Sequence, residues 1–192
     1  MRNYNLILTI IALFIFVIIS CNGEKKLETK EVSKEPLSEV KGQASVKAAE
    51  GADPNALEVA KSLDDFSTLV VAIEAGGVQD ALVNVGPLTV FAPINNAFSK
   101  LTEGTVETLL IPENKSQLAF ILKNHVAPSN YPINQLKKEA KKGRKLYMAS
   151  GKYLVVEHKA DGIYVGGTKI LKTVQVSNGW IHVIDNVLVP QE

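Results

Sequence analysis

An α+β fold is predicted for residues 53–192, because the hydrophobic pattern changes its period along the chain. In the first half, apolar residues recur at helical spacing, and the clearest stripe is formed by Phe66, Leu69, Val70 and Ile73. In the second half, short alternating segments are separated by turn signals such as Asp161-Gly162. Two apolar segments far apart in sequence, at 88–92 and 180–189, are too hydrophobic to lie in water, so one core is expected to cover both.

The first half carries the start and stop signals of several helices. Asp53 followed by Pro54 predicts the N-cap and first residue of a helix. Asp64 is placed to cap the next helix, and the glycine pair at 76–77 is typical of residues that end one. Further helical segments are predicted at residues 78–82, 105–110, 112–125 and 135–142.

The first apolar segment is predicted to form a buried strand over 88–92, which Pro93 ends. After it, Asn95 or Asn96 is expected to cap a turn of helix that ends on apolar Phe98. The alternative for the two asparagines is a polar groove that binds sugars.

The second half is predicted to be a meander of strands joined by tight turns. The strands are expected at residues 145–149, 153–158, 163–165, 169–176 and 180–189. Asn178-Gly179 is the turn before the last strand, and Pro190 closes that strand. Trp180 is expected to pack in the core, and the alternative is a surface ring that stacks on a sugar.

The N-terminus is predicted to be an export signal. Residues 6–19 are almost uninterrupted aliphatic and aromatic side chains, and a stretch of about 14 residues is typical of a signal peptide and too short to span a bilayer. Residues 18–21, which end at the sole cysteine, Cys21, resemble the lipobox of bacterial lipoproteins. We therefore predict a signal peptide at 1–20 and a membrane anchor of palmitate-like acyl chains on Cys21. The alternatives are a plain secretory signal and an uncleaved anchor.

Residues 21–52 are predicted to be a disordered tether behind the acylated cysteine. They hold many charges and few large apolar side chains, so they cannot bury enough surface to offset the entropy of ordering. Asn22 after the cysteine favours the outer membrane of a bacterial envelope over the inner one, by analogy with lipoprotein sorting. The sequence leaves open whether the domain faces the periplasm or the cell surface.

The sequence indicates a protein without catalysis, cofactor or metal. His125, His158 and His182 have none of the spacings typical of zinc sites, and no nucleophile-elbow or phosphate-loop motif occurs. His125 and His182 are expected to be buried and hydrogen-bonded, and the alternative for them is a metal site or a general base. Acidic and basic residues balance over 53–192, which argues against nucleic acid as a partner.

One segment stands out by its charge. It contains Lys137, Lys138, Lys141, Lys142, Arg144 and Lys145. In a helix over 135–142, two lysine pairs at i,i+4 spacing make one cationic face, with Glu139 as the only acid. A charge run of this kind is expected to be a solvated face, and the alternative is a contact with anions, such as acidic polysaccharide, lipopolysaccharide phosphate or a membrane surface.

Three segments together resemble the fasciclin domains. Residues 89–98 match their T-V-F-A-P-x-N-x-A-F box, and residues 178–190 match their N-G-x-I-H-V-I-D-x-V-L-x-P box. Residues 122–126 resemble the family's Tyr-His segment, with Asn124 where the family usually has Tyr. The motif positions, expected to be mainly structural, are Thr89, Phe91, Pro93, Asn95, Phe98, His125, Asn178, Gly179, His182 and Asp185.

The resemblance implies a β-wedge or sandwich of about seven strands with a flanking helical layer, and it places both box strands in the core. It also implies an adhesion or interaction module that binds matrix, glycan or a partner protein. In eukaryotic members the neighbourhood of Asp185 is implicated in receptor adhesion, but here Asp185 is expected to be a strand-end carboxylate that binds turn amides, and adhesion is the alternative. Two other functions stay open, a small-ligand carrier with its ligand between helical layer and sheet, and an envelope scaffold.

Overall fold

The structure is a computed structural model that describes residues 53–83 and 86–190. The predicted signal peptide at 1–20, the acylated Cys21 and the tether at 21–52 lie outside the described residues. Among the residues that are described, no helix is long and apolar enough to cross a bilayer.

The described part of the chain begins with helices and ends with strands. Its helices are α1 (Ala56–Lys61), α2 (Ser67–Gly76), α3 (Gln79–Val83), α4 (Asn95–Phe98), α5 (Thr105–Leu110), α6 (Lys115–Lys123) and α7 (Ile133–Lys141). Two 3-10 turns, Asp64–Phe66 and Pro112–Asn114, precede α2 and α6. Its strands are β1 (Leu88–Pro93), β2 (Val126–Ala127), β3 (Lys145–Tyr147), β4 (Tyr153–Lys159), β5 (Gly162–Val165), β6 (Thr168–Val176) and β7 (Gly179–Ile184).

The start of α1 differs from the prediction, since the N-cap is Asn55 and not Asp53. The Asn55 side chain accepts hydrogen bonds from the amides of Leu57 and Glu58, both at 3.0 Å. The Glu58 carboxylate accepts the Asn55 amide at 2.8 Å, which completes a capping box. Pro54 therefore lies before the helix and not in its first turn.

The cap of α2 comes from a distant residue. Asn95 accepts the Thr68 amide at 3.0 Å, and its Nδ2 donates to the Asp64 carbonyl at 2.9 Å and to Ser67 Oγ at 3.0 Å. The prediction that Asp64 caps α2 is therefore wrong. The prediction that an asparagine caps α4 is wrong as well, because the N-cap of α4 is Ile94, without a side-chain hydrogen bond.

The seven strands form one sheet in the order β2-β1-β7-β6-β5-β4-β3. β1 and β7 pair in parallel, with Leu88 opposite Gly179 and Pro93 opposite Ile184, and the other neighbours are antiparallel. The two box segments, 90 residues apart in sequence, are thus adjacent central strands. The predicted α+β class with about seven strands and a flanking helical layer is confirmed.

The last strand is shorter than predicted, because β7 ends at Ile184 and not at 189. Its parallel partner β1 ends at Pro93, which has no N–H for a further ladder bond. Instead the Ile94 amide donates to the Ile184 carbonyl at 3.1 Å. Residues 187–190 then run as an irregular segment. The sequence also gave no indication of β2, a strand of two residues.

The core consists of two hydrophobic clusters. The first joins the helices α1, α2, α3 and α6 to β1 and β7, through side chains such as Leu69, Val90 and Ile181. The second joins α7, β3, β4 and β5 to the central strands, through fully buried Phe91 and Leu136 among others. Every residue of β1 is buried, as the apolar pattern of the first box predicts.

Candidate functional site

His182 lies at the centre of the sheet, where the two boxes meet. It is opposite Phe91 in the β1–β7 ladder, and the two rings stack with centroids 5.4 Å apart. Its Nε2 lies 2.7 Å from the Tyr131 carbonyl, which can only accept, so Nε2 carries the hydrogen. Nδ1 then accepts from Thr173 Oγ1 at 2.9 Å. Burial lowers the pKa of His182, which stays neutral and structural, although the Tyr131 carbonyl opposes that shift.

Thr89 holds the same loop from the neighbouring strand. Its hydroxyl donates to the Ser129 carbonyl at 2.8 Å and accepts the Tyr131 amide at 2.9 Å. Thr89 is fully buried, so these bonds also satisfy its hydroxyl. Together with His182, Thr89 fixes the loop at residues 128–131 against the end of the sheet.

His125 and Asn124 hold the C-terminal segment. The Leu188 amide donates to His125 Nε2 at 2.9 Å, and Asn124 Nδ2 donates to the Leu188 carbonyl at 2.8 Å. His125 Nδ1 donates to the Ile121 carbonyl at 2.9 Å, and Ser150 Oγ donates to Asn124 Oδ1 at 2.8 Å. Burial lowers the pKa of His125 to about 4. The asparagine at the family's usual Tyr position is therefore buried and fully hydrogen-bonded.

Asn178 connects the last hairpin to the helical layer. Its side-chain oxygen accepts the Ala56 amide at 3.1 Å, and its Nδ2 donates to the Leu82 carbonyl at 2.8 Å. Its backbone carbonyl accepts the Leu88 amide at 3.0 Å. Gly179 follows it at a positive φ of 147° and lies against the backbone of Leu88. Both residues are thus needed for the fold.

Asp185 forms an ion pair, which corrects the expectation that it binds turn amides. The Lys100 ammonium lies 3.0 Å from its carboxylate and 2.7 Å from its carbonyl oxygen. The carboxylate is about one-third exposed, at 34%, so the pair contributes little to stability. Two other motif residues, Pro93 and Phe98, pack at the end of β1 and against the helical cluster.

The six predicted cations form one exposed area, which we call the cationic surface. Its members are Lys137, Lys138, Lys141, Lys142, Arg144 and Lys145, and all are exposed on α7, on the turn that follows and at the start of β3. The acid of the segment, Glu139, is buried, accepts from Gln135 Nε2 and lies 3.7 Å from Arg144 Nη1. In the described part of the chain, no carboxylate comes within ion-pair distance of the five lysines.

Trp180 is partly buried and belongs to neither core cluster, so it does not have the core role that was expected. It lies in the second ladder row of β7, between Thr89 of β1 and Gln175 of β6. It lines an open cleft of about 510 Å³ together with Asn130, Gln175 and Ser177. We call this the Trp180 cleft. The position of Trp180 directly after a turn glycine, at the very end of a strand, was the sequence signal for partial exposure.

No metal or catalytic centre is evident among these side chains. Over residues 53–83 and 86–190, no three His, Cys, Asp or Glu side chains come together in a group that could hold a metal ion. His125 and His182 each use both ring nitrogens in hydrogen bonds within the domain. Neither ring is free to act on a substrate.

Comparisons with known proteins agree with this geometry. A family model for the fasciclin domain matches residues 64–190. Protein sll1483 of Synechocystis sp. is 42% identical over 135 residues, which cover 70% of this chain and 72% of that protein. The transforming growth factor-beta-induced protein ig-h3 of Sus scrofa is 36% identical over 138 residues, but the match covers only 19% of its length.

A solved structure shows the same fold. It is a FAS1 domain pair from the insect cell adhesion molecule fasciclin I, with a TM-score of 0.64 and 22% sequence identity. The match covers 71% of this chain and 51% of the solved one, so the chain spans about half of the pair.

Proposed function

Because the chain belongs to the fasciclin family, we propose that it is a lipid-anchored adhesion module of a bacterial envelope, without catalysis, which binds acidic glycan through the cationic surface. The insect protein with the same fold is a cell adhesion molecule. Relatives such as ig-h3 carry matching domains within much longer chains. Membership of the fasciclin family supports an interaction role, and the charge of the cationic surface supports an acidic partner.

The observation that carries the proposal is that, among the described residues, the five lysines of the cationic surface have no ion-pair partner. Leu136 of α7 is fully buried, so this helix packs one face on the core and presents the lysines on the other. Glu139 is buried, and its ion-pair partner is Arg144 and not one of the lysines. Clustered ammonium groups raise the local concentration of anions and speed their association. A polyanion that bridges several lysines also relieves the repulsion between pairs at i,i+4 spacing.

The small-ligand carrier has less support. Two cavities in the helical layer, one lined by Leu69 and Val90 and the other by Phe98 and Leu109, measure about 20 Å³ each. Small-molecule sites have volumes of roughly 300–1,000 Å³, so neither cavity holds more than a water-sized group.

Retention of the full chain on immobilised polygalacturonate tests the proposal. We expect binding at low salt that is lost by about 0.5 M salt, where the Debye length falls below about 5 Å. Changing Lys137, Lys138, Lys141 and Lys142 to Gln together should weaken binding at least tenfold. Neutral dextran serves as the uncharged support.

A charge-matched variant is the control. It changes four exposed lysines elsewhere to Gln, namely Lys115, Lys123, Lys152 and Lys172. Its net charge is the same, so retention close to that of the unmodified chain shows that the location of the charge matters. Equal losses in both variants, or retention that salt does not change, would overturn the assignment of the cationic surface.

The membrane anchor is tested separately through Cys21. The unmodified chain is expected to sediment with membranes and to leave them only with detergent, because acyl chains bury many methylene groups in the bilayer. Cys21→Ala should yield a protein that stays in the aqueous fraction. If the mature Cys21→Ala protein still sediments with membranes, the acyl anchor is ruled out.

A further inference from the structure

We propose that the Trp180 cleft binds an uncharged oligosaccharide. This site is distinct from the cationic surface in position and in chemistry, so the inference goes beyond the proposed function. It rests on four features of the cleft, which are its size, its neutral lining, its free hydrogen-bonding groups and its rigidity.

The size and lining of the cleft fit a neutral polar ligand. Its volume of about 510 Å³ falls within the roughly 300–1,000 Å³ of small-molecule sites. None of the described residues that line it carries a charge, and they contribute amides, a hydroxyl and a flat aromatic ring. An ionic ligand would find no counter-ion there, whereas a sugar presents hydroxyl groups and apolar C–H faces.

The polar side chains beside the ring are free. Asn130 and Gln175 are exposed, and within the described residues neither they nor Trp180 makes a side-chain hydrogen bond. A carboxamide both donates and accepts, so it matches a pair of neighbouring hydroxyl groups. The indole supplies a flat apolar surface for the sugar ring and an N–H donor at its edge.

The buried motif residues hold this arrangement in place. Thr89 and His182 fix the loop at residues 128–131, which carries Asn130. Gln175 and Trp180 are directly opposite in the β6–β7 ladder, so their side chains lie on one face. A site on paired strands keeps its geometry without a ligand, which lowers the entropy lost on binding.

A peptide strand fits the cleft less well than a sugar. Extended peptides gain much of their affinity by adding to an open sheet edge. β7 is paired on both sides, by β1 and β6, and the edges of the sheet are β2 and β3. The cleft therefore offers side chains and no free strand, which favours a ligand recognised through hydroxyl groups.

The emission of Trp180 provides a direct test, because it is the only tryptophan in the chain. The full chain, in a detergent without a sugar headgroup, is titrated with cellohexaose, maltohexaose and chitohexaose, with calorimetry in parallel. We expect a saturable shift of the emission with at least one of them. Asn130→Ala and Gln175→Ala should each weaken that binding about tenfold, and salt should have little effect.

Gln117→Ala is the matched control, since Gln117 is an exposed amide on α6, away from the cleft. Thermal melting of each variant shows that the fold is intact. The proposal is overturned if none of the three oligosaccharides gives a saturable emission change or binding heat. It is also overturned if the Asn130 and Gln175 variants bind as tightly as the control, or if an extended peptide binds more tightly than any sugar. Loss of polygalacturonate binding in the four-lysine variant concerns the cationic surface alone and does not bear on the Trp180 cleft.

Discussion

Gly179→Ala is expected to prevent the domain from reaching its native fold. A Cβ atom at this position would lie 1.8 Å from the Leu88 carbonyl oxygen and 2.8 Å from its carbon. Both atoms are backbone of β1, which is fully buried and paired on each side, so they cannot move away. The positive φ of 147° adds strain for any residue with a side chain. Circular dichroism should show loss of the cooperative thermal transition.

Gly151→Ala separates the two causes. Gly151 also has a positive φ, of 83°, but an added Cβ would meet nothing within 4 Å. Gly151→Ala should therefore lower the free energy of unfolding only by the backbone strain of about 1–2 kcal/mol, and the domain should still fold. If the two variants melt at the same temperature, the close contact between Gly179 and Leu88 is not what makes the glycine necessary.

Acidification from pH 7 to pH 4 is expected to destabilise the domain through His125. Burial lowers the pKa of this ring from 6.5 to about 4 in the folded state. Between these values the unfolded chain binds a proton that the folded chain does not, so the free energy of unfolding falls as the pH falls. Above about pH 6.5 the His125 ring is neutral in both states, and the domain is then more stable by about 3 kcal/mol than at a pH below both pKa values. The lowered pKa of His182 acts in the same direction.

His125→Gln should reveal the share of His125 in this dependence. The variant is expected to start from a lower stability at pH 7, because a glutamine does not reproduce the geometry of the ring's two bonds to Ile121 and Leu188, but its stability should change less between pH 7 and pH 4. His158→Gln, at an exposed position in β4, should keep the dependence of the unmodified chain. Urea unfolding at several pH values measures both. If the free energy of unfolding of His125→Gln changes with pH as steeply as that of His158→Gln, protonation of His125 is not the cause of the pH dependence.

The parts of the fold that depend on neighbouring residues in sequence were predictable. The helical stripe of α2, the glycine pair at its end and the apolar run of β1 follow from local period and backbone preference. The boxes at residues 89–98 and 178–190 indicated the family, and with it the adjacent central strands.

The features that sequence reasoning missed depend on residues far apart in the chain. Asn95 has the side chain of a local cap, yet its partner is the start of α2, nearly 30 positions earlier. Trp180 stands in an apolar strand, yet it lines an open cleft together with Asn130, which is 50 positions earlier in the chain. The cationic surface was visible in sequence, but the burial of Glu139, which leaves the lysines without an acid, was not.

The parallel pairing of β1 with β7 has a consequence for how the chain matures during vectorial synthesis. β7 is encoded near the C-terminus, yet it fills the place between β1 and β6. As the chain emerges N-terminus first, β1 has one unpaired apolar edge until residue 184 has followed. An unpaired strand edge invites aggregation, so a nascent chain of this kind benefits from being held unfolded until it is complete. A domain in which β1 must pair with β7 can therefore complete its sheet only after residue 184 has been synthesised.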